Sequence, residues 1–191
     1  SRANYQGDIG LHVAKAIYGL LQDEDLQDKS GTHTDQAGRI GEAYVRGAAL
    51  YEDGHKVKAE IDEINKKLYD KSDAKINAIY DWGFEATMNA FEDLYCILGT
   101  KFEFYFLESN VAILGQQLVR DNMDKLIDPP GSKMIFEDSD GAVVFKAEKH
   151  DPKLHTRVFM TSKGLPTYET KELGLTEEKF AKLPDMKLSI V

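Results

Sequence analysis

The spacing of apolar and polar residues predicts helices in the first half of the chain and strands mainly in the second. A short strand end opens the chain. Apolar residues then recur at i, i+4 and i+8, as in Ile9, Val13 and Ile17, and predict a helix within residues 1–23. Asp8 precedes this helix and is predicted to be its N-cap. Residues 24–34 are polar, and we expect them to be mobile.

Residues 35–99 keep the helical period and predict three more helices. The first is expected to end at Gly54, the second to carry Leu68, and the third to begin near Asp73 and stop at Gly99. Cys96 lies in the apolar end of the third helix, so its thiol is expected to be buried.

The period changes in residues 100–191, where apolar and polar positions begin to alternate as in strands. Phe102, Phe104 and Phe106 mark the first strand. The remaining predicted elements are a helix at 109–127, strands at 133–137 and 142–147 around a turn at 138–141, a hairpin followed by a helix within 154–175, and a last strand near 187–191. This order predicts an α/β fold, Rossmann-like, in which residues 24–99 form an inserted helical block.

The hairpin and helix in 154–175 carry the most informative chemistry. Gly164 supplies the residue that a tight turn needs at positive φ, and Pro166 follows where the returning strand tolerates a missing N–H. Tyr168 lies at the strand-to-helix junction, and Glu172 follows four residues later on the same helix face. A carboxylate there favours a cationic ligand, and a guanidinium can bind it bidentately. The alternative is a packed tyrosine with a solvated surface glutamate.

A second group of candidate residues lies before and within the first helix. Its members are Asn4, Gln6, Gly7, Asp8, Gly10 and His12. The two glycines let the backbone approach a ligand at the start of a helix, as in nucleotide sites, so we expect a substrate or nucleotide nearby. The alternative is an N-cap aspartate with turn glycines. No metal site is expected, because His150, Asp151 and His155 lie in a turn-rich segment without a second ligand pair.

Composition narrows the classes of function. The net charge is −9, and the lysines of residues 56–71 are interleaved with acidic residues, which argues against a nucleic-acid-binding surface here. A single cysteine excludes an internal disulfide and fits a reducing cytoplasm. No apolar run approaches the roughly 18 residues of a membrane span.

Four segments together resemble arginyl-tRNA synthetases, which are class I synthetases. Residues 4–10 read NYQGDIG, like the family's N-Y-x-G-D-x-G segment, and residues 168–172 match its Y-x-x-x-D/E motif. Residues 99–106 and 138–146, GTKFEFYF and DSDGAVVFK, supply two further matches in the family's order. The resemblance covers nearly the whole chain.

The resemblance implies an enzyme that attaches arginine to its tRNA with ATP, accompanied by Mg²⁺, as a substrate and with no tightly bound cofactor. Tyr168 and Glu172 then bind arginine. Many relatives have Asp at the position of Glu172 and Gln at that of His12. Residues 1–23 and 100–191 become parts of the catalytic domain, and residues 24–99 its connective insertion. A cytoplasmic monomer is expected, with the main tRNA-binding surfaces elsewhere.

The family's two ATP motifs are absent: the sequence contains neither HxGH nor a KMSKS-like loop. We therefore expect an internal segment of the catalytic domain that does not activate arginine on its own. Two alternatives remain. One is a non-catalytic helical module that binds protein and keeps a synthetase-like fold. The other is a class I synthetase for cysteine or glutamine, which Glu172 disfavours because neither substrate has a cationic side chain.

Overall fold

The computed structural model describes residues 1–123 and 135–189, which fall into two compact units. The units are Ser1–Tyr105 and Phe106–Val191. Each unit is built around helices that cross at glycines, and each contains a small amount of sheet.

The first unit is mainly helical. Its elements are β1 (Ala3–Gln6), α1 (Leu11–Gln22), a 3-10 turn (Glu24–Gln27), α2 (His33–Asp53), α3 (His55–Asp70) and α4 (Ala74–Ile97). Strand β2 (Phe104–Leu107) begins at the end of this unit, and the neighbouring Glu103 N–H donates to the Arg2 carbonyl at 2.9 Å. Helix α1 is the centre of the core, because Ile17 and Leu20 are buried among apolar residues of the other helices.

Glycine allows α1 and α2 to touch along their backbones. A Cβ atom at Gly19 would lie 2.0 Å from the Ala43 carbonyl oxygen, and one at Gly47 would lie 2.0 Å from the Lys15 carbonyl oxygen. The two close approaches are four residues apart on each helix, so they form a reciprocal pair on one face. Any larger side chain at either glycine would force the helices apart.

The second unit places two helices beside a three-stranded sheet. Its elements are α5 (Glu108–Asp121), β3 (Glu137–Ser139), β4 (Ala142–Phe145), a 3-10 turn (Ala147–Lys149), β5 (Arg157–Met160) and α6 (Tyr168–Lys182). The strands are antiparallel in the order β3-β4-β5. Val119, Phe136 and Met160 form a buried cluster.

Helices α5 and α6 also pack backbone to backbone at glycines, as α1 and α2 do. A Cβ atom at Gly115 would lie 1.9 Å from the Thr170 carbonyl oxygen, and one at Gly174 would lie 1.9 Å from the Val111 carbonyl oxygen. Each pair is again spaced by four residues. The crossing therefore fixes the first turns of α6 against α5.

Several predicted boundaries are confirmed, and they are those with a specific capping or turn residue. Helices α2, α3 and α4 occupy the predicted block; α2 ends before Gly54, and Asp73 caps α4 by accepting from the N–H groups of Lys75 and Ile76. Gly99 follows α4 with a φ of 63°, and Gly164 adopts a φ of 75° in the predicted turn. Helix α6 begins at Tyr168, as expected.

Other predictions in the first unit are wrong. Asp8 is not the N-cap of α1, because the helix begins after Gly10, whose φ of 126° suits glycine, and no side chain caps it. The mobility expected of residues 24–34 stays a prediction; the segment contains the 3-10 turn and the start of α2, where Thr32 and Asp35 form a capping box. Cys96 is exposed, because the last turn of α4 turns it away from the core of this unit.

In the second unit, α5 ends at Asp121, since Met123 forms a parallel bridge with Phe136 instead of continuing the helix. The return of the hairpin is a single bridge between Met160 and Pro166, and residues 187–189 form no strand. The predicted strand at 142–147 is found as the shorter β4, whereas β3 overlaps the predicted strand at 133–137 only at Glu137 and lies mainly in the predicted turn at 138–141. Residues 124–127, 133–134 and 190–191 of the predicted elements lie outside the described residues.

Helices with small sheets are compatible with the predicted α/β class. The Rossmann-like arrangement, and the grouping of 1–23 with 100–191 around an insertion at 24–99, stay predictions. Over residues 1–123 and 135–189, no helix is both long and apolar enough to span a membrane.

Candidate functional site

The start of α6 is anchored to the end of β5. Thr167, the residue before the helix, donates its backbone N–H to the Phe159 carbonyl at 2.9 Å and its hydroxyl to the Val158 carbonyl at 2.6 Å. The buried Thr170 hydroxyl also donates to the Phe159 carbonyl. These bonds leave the first turn of α6 little freedom, so the side chains that it carries are held in place.

Tyr168 and Glu172 meet on this turn, as the sequence predicted from their spacing. The Tyr168 ring is 58% exposed, whereas Glu172 is partly buried. The Glu172 carboxylate accepts a hydrogen bond from the Tyr168 hydroxyl and raises the pKa of that hydroxyl, with smaller contributions from the charge of Glu172, burial, and the charges of Glu108 and Glu169. Glu172 Oε1 is buried and has no hydrogen-bond partner among the described residues.

Sequence reasoning missed a buried ion pair beside these residues. Lys171 Nζ lies 2.6 Å from Glu108 Oε2, and the two side chains are only 10% and 13% exposed. Glu108 is the first residue of α5, and its charge reaches the Tyr168 hydroxyl. A lysine next to Glu172 in sequence is therefore committed to another carboxylate. Nothing in the sequence pairs residues 63 positions apart, so only the helix crossing reveals this contact.

In the first unit, the structure gathers the N-terminal candidate residues around α4. Asn4 donates its amide to the Tyr95 hydroxyl oxygen at 2.6 Å, and Gln6 donates to the same oxygen at 3.3 Å. The Tyr80 hydroxyl donates to Asp8 Oδ2 at 2.8 Å. Both tyrosines lie on α4, and nothing in the sequence pairs them with residues before α1.

The remaining members of this group lie at the start of α1. His12 donates from Nε2 to the Gly7 carbonyl at 2.8 Å, which ties the helix to the turn before it. Gly10 provides the N-cap position. A cleft of about 340 Å³ opens beside these residues and is lined by Gly7, Asp8 and His12 at one end and by apolar residues of α1, α2 and α4 elsewhere. Its size falls in the range of small-molecule pockets.

Two other groups of polar residues, the segment around His150 and the lysines of α3, make contacts with nearby residues. His150 stacks on Phe145, and within residues 1–123 and 135–189 no cluster of three or more metal-ligating side chains is found. The lysine-rich face of α3 contains the i,i+4 pair of Lys56 and Glu60, with its charged atoms 3.8 Å apart. Lys67 pairs with Asp73 at 3.2 Å, so part of this face is neutralised internally.

No family model matches the chain, but curated proteins do. The arginine–tRNA ligase of Borreliella afzelii is 24% identical over 183 residues, covering 91% of this chain and 29% of the relative. Those of Pediococcus pentosaceus and Bacteroides fragilis are 26% and 25% identical, covering 91% and 100% of this chain. The chain spans 28% to 33% of the length of these relatives.

Solved structures give the same result for the fold. The arginyl-tRNA synthetase of Plasmodium falciparum matches 94% of this chain with a TM-score of 0.60 at 14% identity. That of Thermus thermophilus matches 93% with a TM-score of 0.57 at 22% identity. The resemblance drawn from the four sequence segments is thus confirmed, and over nearly its whole length this chain is similar in sequence and in fold to a segment of arginine–tRNA ligases.

Proposed function

We propose that the protein is an arginine–tRNA ligase and that this chain contributes the recognition of the arginine side chain. Residues 1–23 and 100–191 are then parts of a Rossmann-like class I catalytic domain, and residues 24–99 are its connective insertion. The names of the relatives support the reaction: ATP-dependent attachment of arginine to tRNA.

The observation that carries the proposal is the unpaired oxygen of Glu172. A buried carboxylate oxygen without a partner is costly, roughly 1–3 kcal/mol or more, unless a ligand completes it. A guanidinium offers parallel N–H groups that can engage the carboxylate, while the adjacent Tyr168 hydroxyl oxygen can accept a further N–H. Glu172 is therefore proposed to bind the guanidinium group, and Tyr168 to orient it.

The other partners follow from the same proposal. ATP with Mg²⁺ and tRNA are the further substrates, and Asn4, Gly7, Asp8, Gly10 and His12 lie in the vicinity of substrate or nucleotide. With a net charge of −9, this chain is not the main tRNA-binding surface. The protein is proposed to act as a monomer in the cytoplasm.

The test is steady-state aminoacylation by the full-length protein, with arginine and ATP varied separately. Glu172→Gln keeps the shape of the side chain and removes its charge, which should cost roughly 2–4 kcal/mol of arginine binding. That corresponds to a KM for arginine raised by about 30- to 1000-fold, with the KM for ATP nearly unchanged.

The matched control is Glu177→Gln, the same substitution at an exposed position of α6. It should leave both constants within about twofold of the wild type, because surface substitutions away from a site are usually nearly neutral. A Glu172→Gln protein that spares arginine and loses ATP would show that the assignment is wrong.

A further inference from the structure

Two tyrosine hydroxyls of helix α4 form hydrogen bonds with the segment that precedes α1. Tyr95 accepts from the amides of Asn4 and Gln6, at 2.6 and 3.3 Å, and Tyr80 donates to Asp8 at 2.8 Å. The contacts join positions 72 to 91 residues apart, so they are tertiary and not a by-product of local folding.

The order of these contacts gives α4 a defined direction along the segment. The later tyrosine, Tyr95, holds the earlier residue, Asn4, and the earlier tyrosine, Tyr80, holds the later residue, Asp8. Helix and segment therefore run antiparallel. The two tyrosines are 15 positions apart, about 22 Å along a helix, so α4 holds the segment at two separated points.

The contacts with α4 hold Asn4 and Gln6 by their amide nitrogens and Asp8 by one carboxylate oxygen. Asn4 and Gln6 use their amide N–H groups on Tyr95, so their amide oxygens take no part in this contact. Asp8 accepts the Tyr80 hydroxyl at Oδ2. Asp8 also lines one end of the cleft of about 340 Å³ between α1, α2 and α4. The tyrosines thus orient the side chains of this segment, of which Gln6 and Asp8 line the cleft.

We infer that Tyr80 and Tyr95 are positioning residues, through which α4 sets the geometry of residues 4–8 for the reaction. The inference rests on the proposed function, because it concerns the residues placed near substrate or nucleotide. It gives α4 a role beyond packing: a displacement of this helix is transmitted directly to Asn4, Gln6 and Asp8.

The structure offers a matched control within the same unit. Tyr51 of α2 donates its hydroxyl to Asp62 of α3 at 3.2 Å, far in sequence from residues 4–8. Tyr51→Phe removes the same hydroxyl from the same kind of tyrosine–aspartate bond. Any general cost of losing such a bond is therefore shared by the control and by Tyr80→Phe.

The experiment measures aminoacylation by the full-length protein carrying Tyr80→Phe, Tyr95→Phe or Tyr51→Phe, together with the melting temperature of each variant. We expect kcat/KM for arginine to fall about 5- to 30-fold for Tyr80→Phe and Tyr95→Phe, the size of one or two lost hydrogen bonds. Tyr51→Phe should stay within about twofold, although all three melt at similar temperatures.

A double variant separates positioning from stability. Because Tyr80 is expected to act through Asp8, adding Tyr80→Phe to Asp8→Ala should cause no further loss of kcat/KM. Additive losses, or a Tyr80→Phe protein as active as the Tyr51→Phe control, would overturn the inference while leaving the proposed function standing. A wild-type protein that does not charge tRNA with arginine would overturn both.

Discussion

The polar side chains before α1 and those at the start of α6 are held in opposite ways. Asn4, Gln6 and Asp8 find hydrogen-bond partners on α4 of their own unit. Glu172, in contrast, keeps a buried oxygen without a partner in the described residues. The first group is oriented by hydrogen bonds within its own unit, whereas the buried oxygen of Glu172 has no such partner among the described residues. In the proposed function, Glu172 makes the decisive contact with the cationic substrate.

The two regions share the way in which their helices are supported. Gly19 and Gly47 bring α1 and α2 into backbone contact, and Gly115 and Gly174 do the same for α5 and α6. Close approach allows Cα–H groups to face carbonyl oxygens, a weak but recurrent stabilising contact. Helix α1 carries the residues that follow Asp8, and α6 carries Glu172, so both groups depend on these crossings.

The largest effect on stability is expected at the crossings. Gly19→Ala and Gly174→Ala would place a methyl group about 2 Å from a backbone oxygen that cannot rotate away. Overpacking of this kind should destabilise each unit by about 3 kcal/mol, even after the gain from alanine in a helix. Denaturant unfolding of the full-length protein measures the change.

The control for this prediction is Gly38→Ala in α2. A Cβ atom there meets nothing within 4 Å, so alanine should stabilise the protein by roughly 0.5–1 kcal/mol. Equal responses at Gly38 and Gly19 would contradict the view that the crossing requires glycine. A loss of stability in Gly19→Ala but not in Gly174→Ala would mean that only the crossing of α1 and α2 requires glycine.

The parts of the fold that follow local rules could be predicted from the sequence. The start of α6 at Tyr168, the cap at Asp73 and the turn at Gly164 each depend on neighbours within a few residues. The pairing of Tyr168 with Glu172 was predictable for the same reason, because a helix places residues i and i+4 on one face. Boundaries without such a signal, such as the end of α5, were misplaced.

The tertiary contacts could not be predicted, because tyrosine and lysine occur in several kinds of environment. Tyr80 and Tyr95 fit an apolar helix stripe, and Lys171 looks like a solvated lysine of an exposed turn. Their actual partners, Asp8, Asn4 and Glu108, are 63 to 91 positions away. The glycine crossings carry no local signal at all, since glycine inside a helix is unfavourable by itself.

The smallest effect is expected for Tyr168→Phe. It removes one partly exposed hydroxyl and should weaken arginine binding by about 1 kcal/mol, or roughly fivefold, without changing the ATP constant. The loss of that hydroxyl also frees the Glu172 oxygen that accepts it. Steady-state kinetics at separately varied arginine and ATP measures the change. A loss larger than that of Glu172→Gln would reverse the roles assigned to the two side chains.

The most direct test of the account compares arginine with citrulline, its neutral isostere, by equilibrium binding to the full-length protein. If Glu172 recognises the guanidinium charge, the wild type should prefer arginine by at least about 30-fold. In Glu172→Gln that preference should shrink to within about threefold, because the ligand charge no longer meets a carboxylate. Equal binding of the two ligands by the wild type, or an undiminished preference in Glu172→Gln, would contradict the central claim.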